Sequence, residues 1–125
     1  MKKVISSTKA PAAIGPYSQA IEANGLIFCS GQLPIDPVTG NIVSGGIKEQ
    51  TKQALSNVKA ILEEAGLGIH AVVKTMVLLS DINDFAAMNE VYAEVFEAPF
   101  PARSAFAVKD LPKGALVEIE VVASR

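Results

Sequence analysis

The chain has one cysteine, one histidine and no tryptophan among its 125 residues. A lone Cys29 excludes an internal disulfide, and the pattern around it predicts a buried, unreactive thiol. Because His70 is the only histidine, a transition-metal site would have to rest on carboxylates. The carboxylates show no ligand-like clustering. We therefore predict no metal, a reducing compartment and no hydrolase triad built on histidine.

Basic clusters and long hydrophobic runs are scarce as well. The formal net charge is −2 and the pI is near 5.4, so the chain carries no electrostatic footprint for nucleic acid or anionic membranes. No apolar run approaches the ~18 residues of a membrane span, and Lys2-Lys3 is not followed by a hydrophobic signal segment. We expect a cytoplasmic protein without nucleic-acid or membrane partners.

A length of 125 residues with 50% hydrophobic residues suits one domain over residues 1–125. Short strands are predicted at 18–23 and 26–30 around an Asn24-Gly25 turn, and further strands at 72–79, 104–108 and 116–123. Apolar spacing predicts one helix from Ile47 to a stop at Gly66 and a second, capped by Asp81 or Asp84, with the stripe Phe85, Met88, Tyr92, Val95 and Phe96.

The order of these elements predicts an α+β fold in which two helices pack on one face of a mixed sheet. The other face of the sheet would then lack a cover within the chain. Self-association is a common way to complete the burial of such a face, so we expect an oligomer.

Arg103 is the only arginine inside the chain; the other positive side chains are nine lysines and the terminal Arg125. It lies in the apolar stretch 99–106, where a planar guanidinium able to fork two hydrogen bonds suits a carboxylate ligand. The leading hypothesis is that Arg103 holds a small carboxylate substrate. The alternative is a cross-strand ion pair with Glu118 or Glu120.

Glu118 and Glu120 share one face of the last predicted strand. They either form a solvated sheet face or provide one carboxylate that acts as a general base on water. Asn89 falls on the stripe of the second helix that should face the core, where its amide would cap a loop or line a pocket.

Three further residues are candidates for a ligand site. Ser30-Gly31 ends a strand, where the glycine permits close approach of backbone and the hydroxyl can bind a ligand, although the pattern taken alone favours a plain exit from the strand. Tyr17 follows Gly15-Pro16 in a loop, and a tyrosine of this kind is more often packed than catalytic.

Four blocks, read together, resemble the reactive intermediate deaminase family (Rid, formerly YjgF). They are residues 10–20 (APAAIGPYSQA), 29–32 (CSGQ), 53–58 (QALSNV) and 100–104 (FPARS), and the closing 117–120 (VEIE) fits the family too. The resemblance implies a chorismate-mutase-like α+β fold that assembles as a homotrimer with three clefts between subunits. Members of the RidA subgroup hydrolyse enamines and imines such as 2-aminoacrylate and 2-iminobutanoate to 2-oxo acids and ammonia.

The resemblance also implies roles for individual residues. Arg103 would bind the substrate carboxylate, and Glu118 would activate the water that attacks the imine carbon. The same cleft would be lined by Tyr17, Ser30, Gly31 and Asn89, some of them from a neighbouring subunit. No cofactor is implied, because an iminium carbon is already electrophilic and needs only positioning and a base.

The chain departs from the common family pattern at Ala105, where many RidA proteins have cysteine. The backbone at Ala105 can still bond the substrate nitrogen, so deaminase activity is expected to survive while thiol-dependent side activities are not. Two alternatives stay open: a non-enzymatic protein that binds a 2-oxo acid or amino acid in the same clefts, and a ribonuclease. The ribonuclease is disfavoured, because seven aromatic residues and an acidic total show no basic, base-stacking platform.

Overall fold

The computed structural model describes all 125 residues as one six-stranded mixed sheet backed by two helices. In chain order the elements are β1 (Lys3–Ile5), β2 (Ala20–Ala23), β3 (Leu26–Gln32), α1 (Ile47–Glu64), β4 (Val72–Leu79), α2 (Phe85–Val95), β5 (Ala102–Ala107) and β6 (Val117–Ser124). The strand order is β1-β2-β3-β6-β4-β5, and only β4 and β5 pair in parallel. The α+β class predicted from the sequence is confirmed.

The first hairpin forms where the sequence predicts it. Asn24 and Gly25 have φ angles of 52° and 78°, the left-handed values that a two-residue hairpin turn requires. The pairing of Ala20 with Cys29 puts Cys29 in the core, where burial raises the pKa of its thiol to about 12. The strand β1 was not predicted, because its three residues are too few to show alternation.

Helix α1 provides much of the core. Its buried stripe includes Leu55, Val58 and Leu62, each at most 2% exposed, and burying such a side chain contributes about 1.5–3 kcal/mol. The helix begins after Gly46, whose N–H donates to Glu49 Oε1 over 3.0 Å. It ends before Gly66, whose φ of 79° is the left-handed stop that was predicted.

Helix α2 confirms one part of its prediction and corrects another. Met88, Val91 and Tyr92 are buried, but Asn89, expected on the core-facing stripe, is exposed. Asn89 lies at the border of the stripe formed by these buried residues, beside Arg103, and therefore faces solvent. The helix itself follows a short 3-10 turn over Ile82–Asp84. Asp81 caps that turn by accepting from the Asn83 N–H over 2.9 Å.

Both helices pack on the same face of the sheet. On β6, Val117, Ile119 and Val121 point to this helix face and are at most 1% exposed. The opposite face, which we call the open face, has no cover within the chain. It carries Phe28 and Phe106, exposed to 46% and 43%, on the side predicted to be left uncovered. No helix is long and apolar enough to span a bilayer.

Candidate functional site

Arg103 lies on the edge strand β5 and points to the helix face. Its register partner on β4 is Thr75, which is fully buried and shares a 2.8 Å hydrogen bond with the Tyr92 hydroxyl. The Arg103 guanidinium carbon lies 4.8 Å from the centroid of the Tyr92 ring and 5.4 Å from that of Phe85. One guanidinium nitrogen, Nη1, donates to Asn89 Oδ1 over 2.6 Å. Two aromatic faces and one amide thus set the direction of the guanidinium.

Arg103 forms no ion pair. The two ion pairs of the chain join Lys48 to Glu90 and Arg125 to Glu22. The cross-strand pair with Glu118 or Glu120, left open by the sequence, is therefore not formed. The guanidinium keeps donors and an uncompensated charge for an anion that the chain itself does not supply.

Two further candidates lie near Arg103. Asn89 reaches it from α2, and Ala105 follows two residues along β5, on the same face, opposite Val77. A cavity of about 310 Å³ is lined by Asn89, Tyr92, Ala93, Phe100, Pro101 and Arg103. We call Asn89, Arg103 and Ala105 the arginine half-site.

Glu118 lies on β6 and points to the open face. Its register partner is Leu78, and its side chain is half-buried. Burial, followed by the negative charge of Glu120, raises the pKa of the Glu118 carboxyl above the ordinary value for glutamate. Both causes disfavour the ionised form and make the carboxylate a stronger base than an exposed glutamate.

Gly31 lies directly against Glu118. A Cβ at this position would collide with the carboxylate and come within 2.9 Å of Glu118 Cδ. The absence of a side chain at residue 31 therefore makes room for Glu118, which is the close approach that the sequence predicted without naming its partner.

Ser30 and Tyr17 complete this group. The Ser30 hydroxyl donates to the Ser18 carbonyl over 2.6 Å, so its oxygen is left to accept from a ligand. Tyr17 is 54% exposed and, with Gly31, lines a cavity of about 320 Å³. We call Tyr17, Ser30, Gly31 and Glu118 the glutamate half-site.

The two half-sites do not meet within one chain. Arg103 shares the helix face with Thr75, whereas Glu118 shares the open face with Leu78. Neighbouring side chains along a strand point to opposite faces of its sheet, so the sheet itself separates the guanidinium from the carboxylate.

Gln19 is a residue of this region that the sequence analysis missed. It is 3% exposed; its Oε1 accepts from the Ser7 N–H over 2.6 Å, and its Nε2 donates to the Pro11 carbonyl over 2.7 Å. Its own carbonyl accepts from the Ser30 N–H over 2.9 Å. The sequence did contain a signal for Gln19. A glutamine at the start of an apolar strand is buried only if its side-chain amide finds hydrogen-bond partners.

These features define an α+β protein with an arginine that forms no ion pair and a half-buried glutamate. The family model described as "Endoribonuclease L-PSP" matches residues 7–125. The chain belongs to this family, which is the Rid family that its sequence blocks resemble.

Named relatives and solved structures agree with this membership. The chain is 58% identical to the RutC family protein PH0854 of Pyrococcus horikoshii, over 98% of each protein. It is 54% identical to the human 2-iminobutanoate/2-iminopropanoate deaminase, over 98% of this chain and 90% of the relative. The structure of Escherichia coli TdcF with bound serine is similar, with a TM-score of 0.94 and 43% identity over 98% of both chains. The structure of RidA from the Antarctic bacterium Psychrobacter sp. PAMC 21119 has a TM-score of 0.94 and 45% identity, over 98% of this chain and 99% of that one.

Proposed function

We propose that residues 1–125 form one RidA-type domain that acts in the cytoplasm and hydrolyses reactive enamine and imine intermediates, such as 2-aminoacrylate and 2-iminobutanoate, to 2-oxo acids and ammonia. The activity for which the human relative is named supports the class of reaction. The unpaired guanidinium of Arg103 supports a small carboxylate as the substrate.

The observation that carries the proposal is the unpaired charge of Arg103. Its guanidinium is directed by Asn89 and the Tyr92 ring, but no carboxylate of the chain pairs with it. A positioned guanidinium without an internal partner suits an external carboxylate, which can accept two parallel hydrogen bonds from it. An imino acid carries such a carboxylate next to its reactive carbon.

Glu118 is the proposed general base. It accepts a proton from a water molecule while the water oxygen bonds to the carbon of the protonated imine, and the C=N π electrons move to nitrogen to give a neutral carbinolamine. Glu118 then returns this proton to the amine. The C–N bond breaks with its electron pair on the departing ammonia, Glu118 takes the hydroxyl proton as the oxygen becomes the carbonyl of the 2-oxo acid, and ammonia carries that proton away as ammonium. The raised pKa of Glu118 suits this exchange, because a stronger base takes the proton of water more readily.

The remaining site residues receive roles that fit their contacts. The Ser30 oxygen, whose proton is already donated to Ser18, would accept from the iminium N–H or from the water. The backbone at Ala105 would bond the substrate nitrogen. Tyr17 and Gly31 would form the wall of the cleft, and Asn89 would orient Arg103.

We further propose that each site is shared by two copies of the chain in a homotrimer. Arg103 and Glu118 lie on opposite faces of one sheet, so they can meet at one substrate only when they come from different chains. The exposed aromatic side chains of the open face, Phe28 and Phe106, are the surface that association would bury.

A non-enzymatic binding protein is the second candidate. The structure of the E. coli relative TdcF is described as having bound serine, and a cleft that holds an amino acid or a 2-oxo acid needs no base. This candidate predicts saturable binding of 2-oxobutanoate without faster decay of the imine.

The test follows release of 2-oxobutanoate from freshly generated 2-iminobutanoate. Wild type should accelerate it, and Arg103→Ala and Glu118→Gln should each lower kcat/KM by at least about 10²-fold, the usual effect of losing one charge-stabilising or general-base group. Glu64→Gln, an exposed change on α1, is the matched control and should behave as wild type.

The outcomes separate the candidates. Full activity of Arg103→Ala would exclude the carboxylate role of Arg103, and full activity of Glu118→Gln would exclude the general base. Binding of 2-oxobutanoate by a wild type that does not accelerate hydrolysis would favour the binding protein.

A further inference from the structure

The turn between β5 and β6 holds Lys113 in an unusual conformation. Its φ and ψ angles are 58° and 23°, in the left-handed region that disfavours residues with a side chain other than asparagine or aspartate. A glycine or asparagine would adopt this conformation at lower cost. A lysine keeps this conformation only where the surrounding structure holds it there.

The turn is fixed on both sides of Lys113. Leu111 and Ala115 are buried, at 9% and 1% exposure, and the Ala115 N–H donates to the Pro112 carbonyl over 3.2 Å. The next N–H, of Leu116, donates to Gln50 Oε1 of helix α1 over 2.8 Å. The position of Lys113 is therefore set by the fold.

Lys113 lines the same cavity as Tyr17 and Gly31. Most of the remaining wall is apolar, and its two amide side chains, Gln19 and Gln32, donate to backbone carbonyls. Lys113 takes part in neither ion pair of the chain. Lys113 is thus the one residue of the wall with a cationic side chain; it is exposed and has no carboxylate partner.

The glutamate half-site presents an electrostatic problem that Lys113 can solve. Glu118 lies against Gly31, and Glu120 adds a second negative charge on the same face. A substrate carboxylate on its way to Arg103 of a neighbouring chain passes these residues and is repelled by them. A positive charge at the cavity wall offsets this repulsion.

We propose that Lys113 is a further substrate-binding residue, whose ammonium attracts the carboxylate of the imino acid or 2-oxo acid into the cavity of Tyr17 and Gly31. The inference rests on the proposed function for the identity of the anion. It assigns Lys113 to binding and not to the chemical step, so its loss should raise KM and leave kcat unchanged.

The experiment measures binding by calorimetry with two stable ligands, the anion 2-oxobutanoate and the neutral 2-oxobutanamide. The test variant is Lys113→Asn, because asparagine tolerates left-handed backbone, and Lys113→Arg retains the charge. Lys109→Asn is the matched control, since Lys109 is exposed in the same turn and does not line the cavity.

Lys113→Asn should weaken binding of 2-oxobutanoate about three-fold, the effect of losing one solvent-accessible charge contact, and leave 2-oxobutanamide unchanged. Lys113→Arg and Lys109→Asn should bind both ligands as wild type does. The difference between wild type and Lys113→Asn should shrink as NaCl rises from about 50 to about 500 mM, because salt screens the attraction.

Equal binding of 2-oxobutanoate by wild type and Lys113→Asn would overturn the proposal, as would an equal loss for both ligands. No binding of 2-oxobutanoate by wild type would also overturn it. These readouts need no turnover, so they are independent of whether the protein is a deaminase.

Discussion

The two half-sites are built in different ways. The glutamate half-site lies on the interior strands β3 and β6, and buried hydrogen bonds hold its loop, among them those of Gln19 to Ser7 and Pro11. The arginine half-site lies on the edge strand β5, and its polar contact, from Arg103 to Asn89, is exposed. The glutamate half-site is therefore held by buried contacts, whereas the arginine half-site lies on an edge strand and is held by an exposed one.

This contrast explains how one chain can carry both parts of the proposed site without assembling it. A general base needs partial burial to raise its pKa, and an interior strand supplies that. An arginine that receives a substrate must keep its donors free, and an edge strand leaves them accessible. Association of two chains would combine a desolvated base with an accessible cation.

The sharpest test of this division is complementation between two inactive variants. Arg103→Ala retains an intact glutamate half-site, and Glu118→Gln retains an intact arginine half-site. If each site takes one half from each of two chains in a closed ring of three, every mixed trimer contains one intact site, so doubly tagged protein should show about a third of wild-type activity. To measure the restored activity, the two variants are co-expressed with different affinity tags, and the imine assay is run on protein that carries both tags.

A second mixture controls for non-specific rescue. Glu118→Gln and Gly31→Ala both damage the glutamate half-site, so their mixture should stay inactive. An inactive mixture of Arg103→Ala with Glu118→Gln in confirmed mixed oligomers would show that the two halves do not combine.

Gly31→Ala breaks the glutamate half-site alone. The new Cβ would displace the Glu118 carboxylate, a flexible group that can move, so the fold should remain while kcat falls about 10²-fold, as expected for a misplaced general base. Gly46→Ala is the matched control, because a Cβ there meets nothing within 4 Å. Thermal melts and kcat of both variants check this, and a Gly31→Ala enzyme with full kcat would contradict the contact.

Much of the fold could be predicted from the sequence, because local signals agree with the tertiary structure. The Asn24-Gly25 turn, the apolar stripe of α1 and the alternation of β6 each specify their element without help from distant residues. Asn89 was misplaced, because it lies at the border of the buried stripe of α2, and the sequence does not show that the sheet ends beside it at the edge strand β5.

The candidate site could be predicted only in part. Arg103 stands out by composition, and Glu118 by its alternation with buried neighbours. Sequence alone could not place them on opposite faces, since that requires the register of β5 and β6 against β4. Nor could it find Lys113, whose importance comes from a backbone angle and a cavity wall formed by distant segments.

The smallest expected effect concerns the pH dependence of the glutamate half-site. The pKa of Glu118 is raised first by burial and then by Glu120, and only its ionised form can accept a proton. Activity should therefore fall on acidification at a higher pH than for an ordinary glutamate. Glu120→Gln removes the second cause, so the acidic limb of kcat/KM should move to lower pH.

The same shift predicts an opposite effect on stability. Between the ordinary glutamate pKa and the raised one, the folded state binds more protons at Glu118 than the unfolded state, so stability falls as pH rises through this window. Above it, Glu118→Gln should melt at a higher temperature than wild type, although it is inactive, because an unfavourable buried charge has been removed. Melting curves at several pH values measure this. If Glu118→Gln melted at a lower temperature than wild type at a pH above this window, the fold would stabilise the ionised carboxylate.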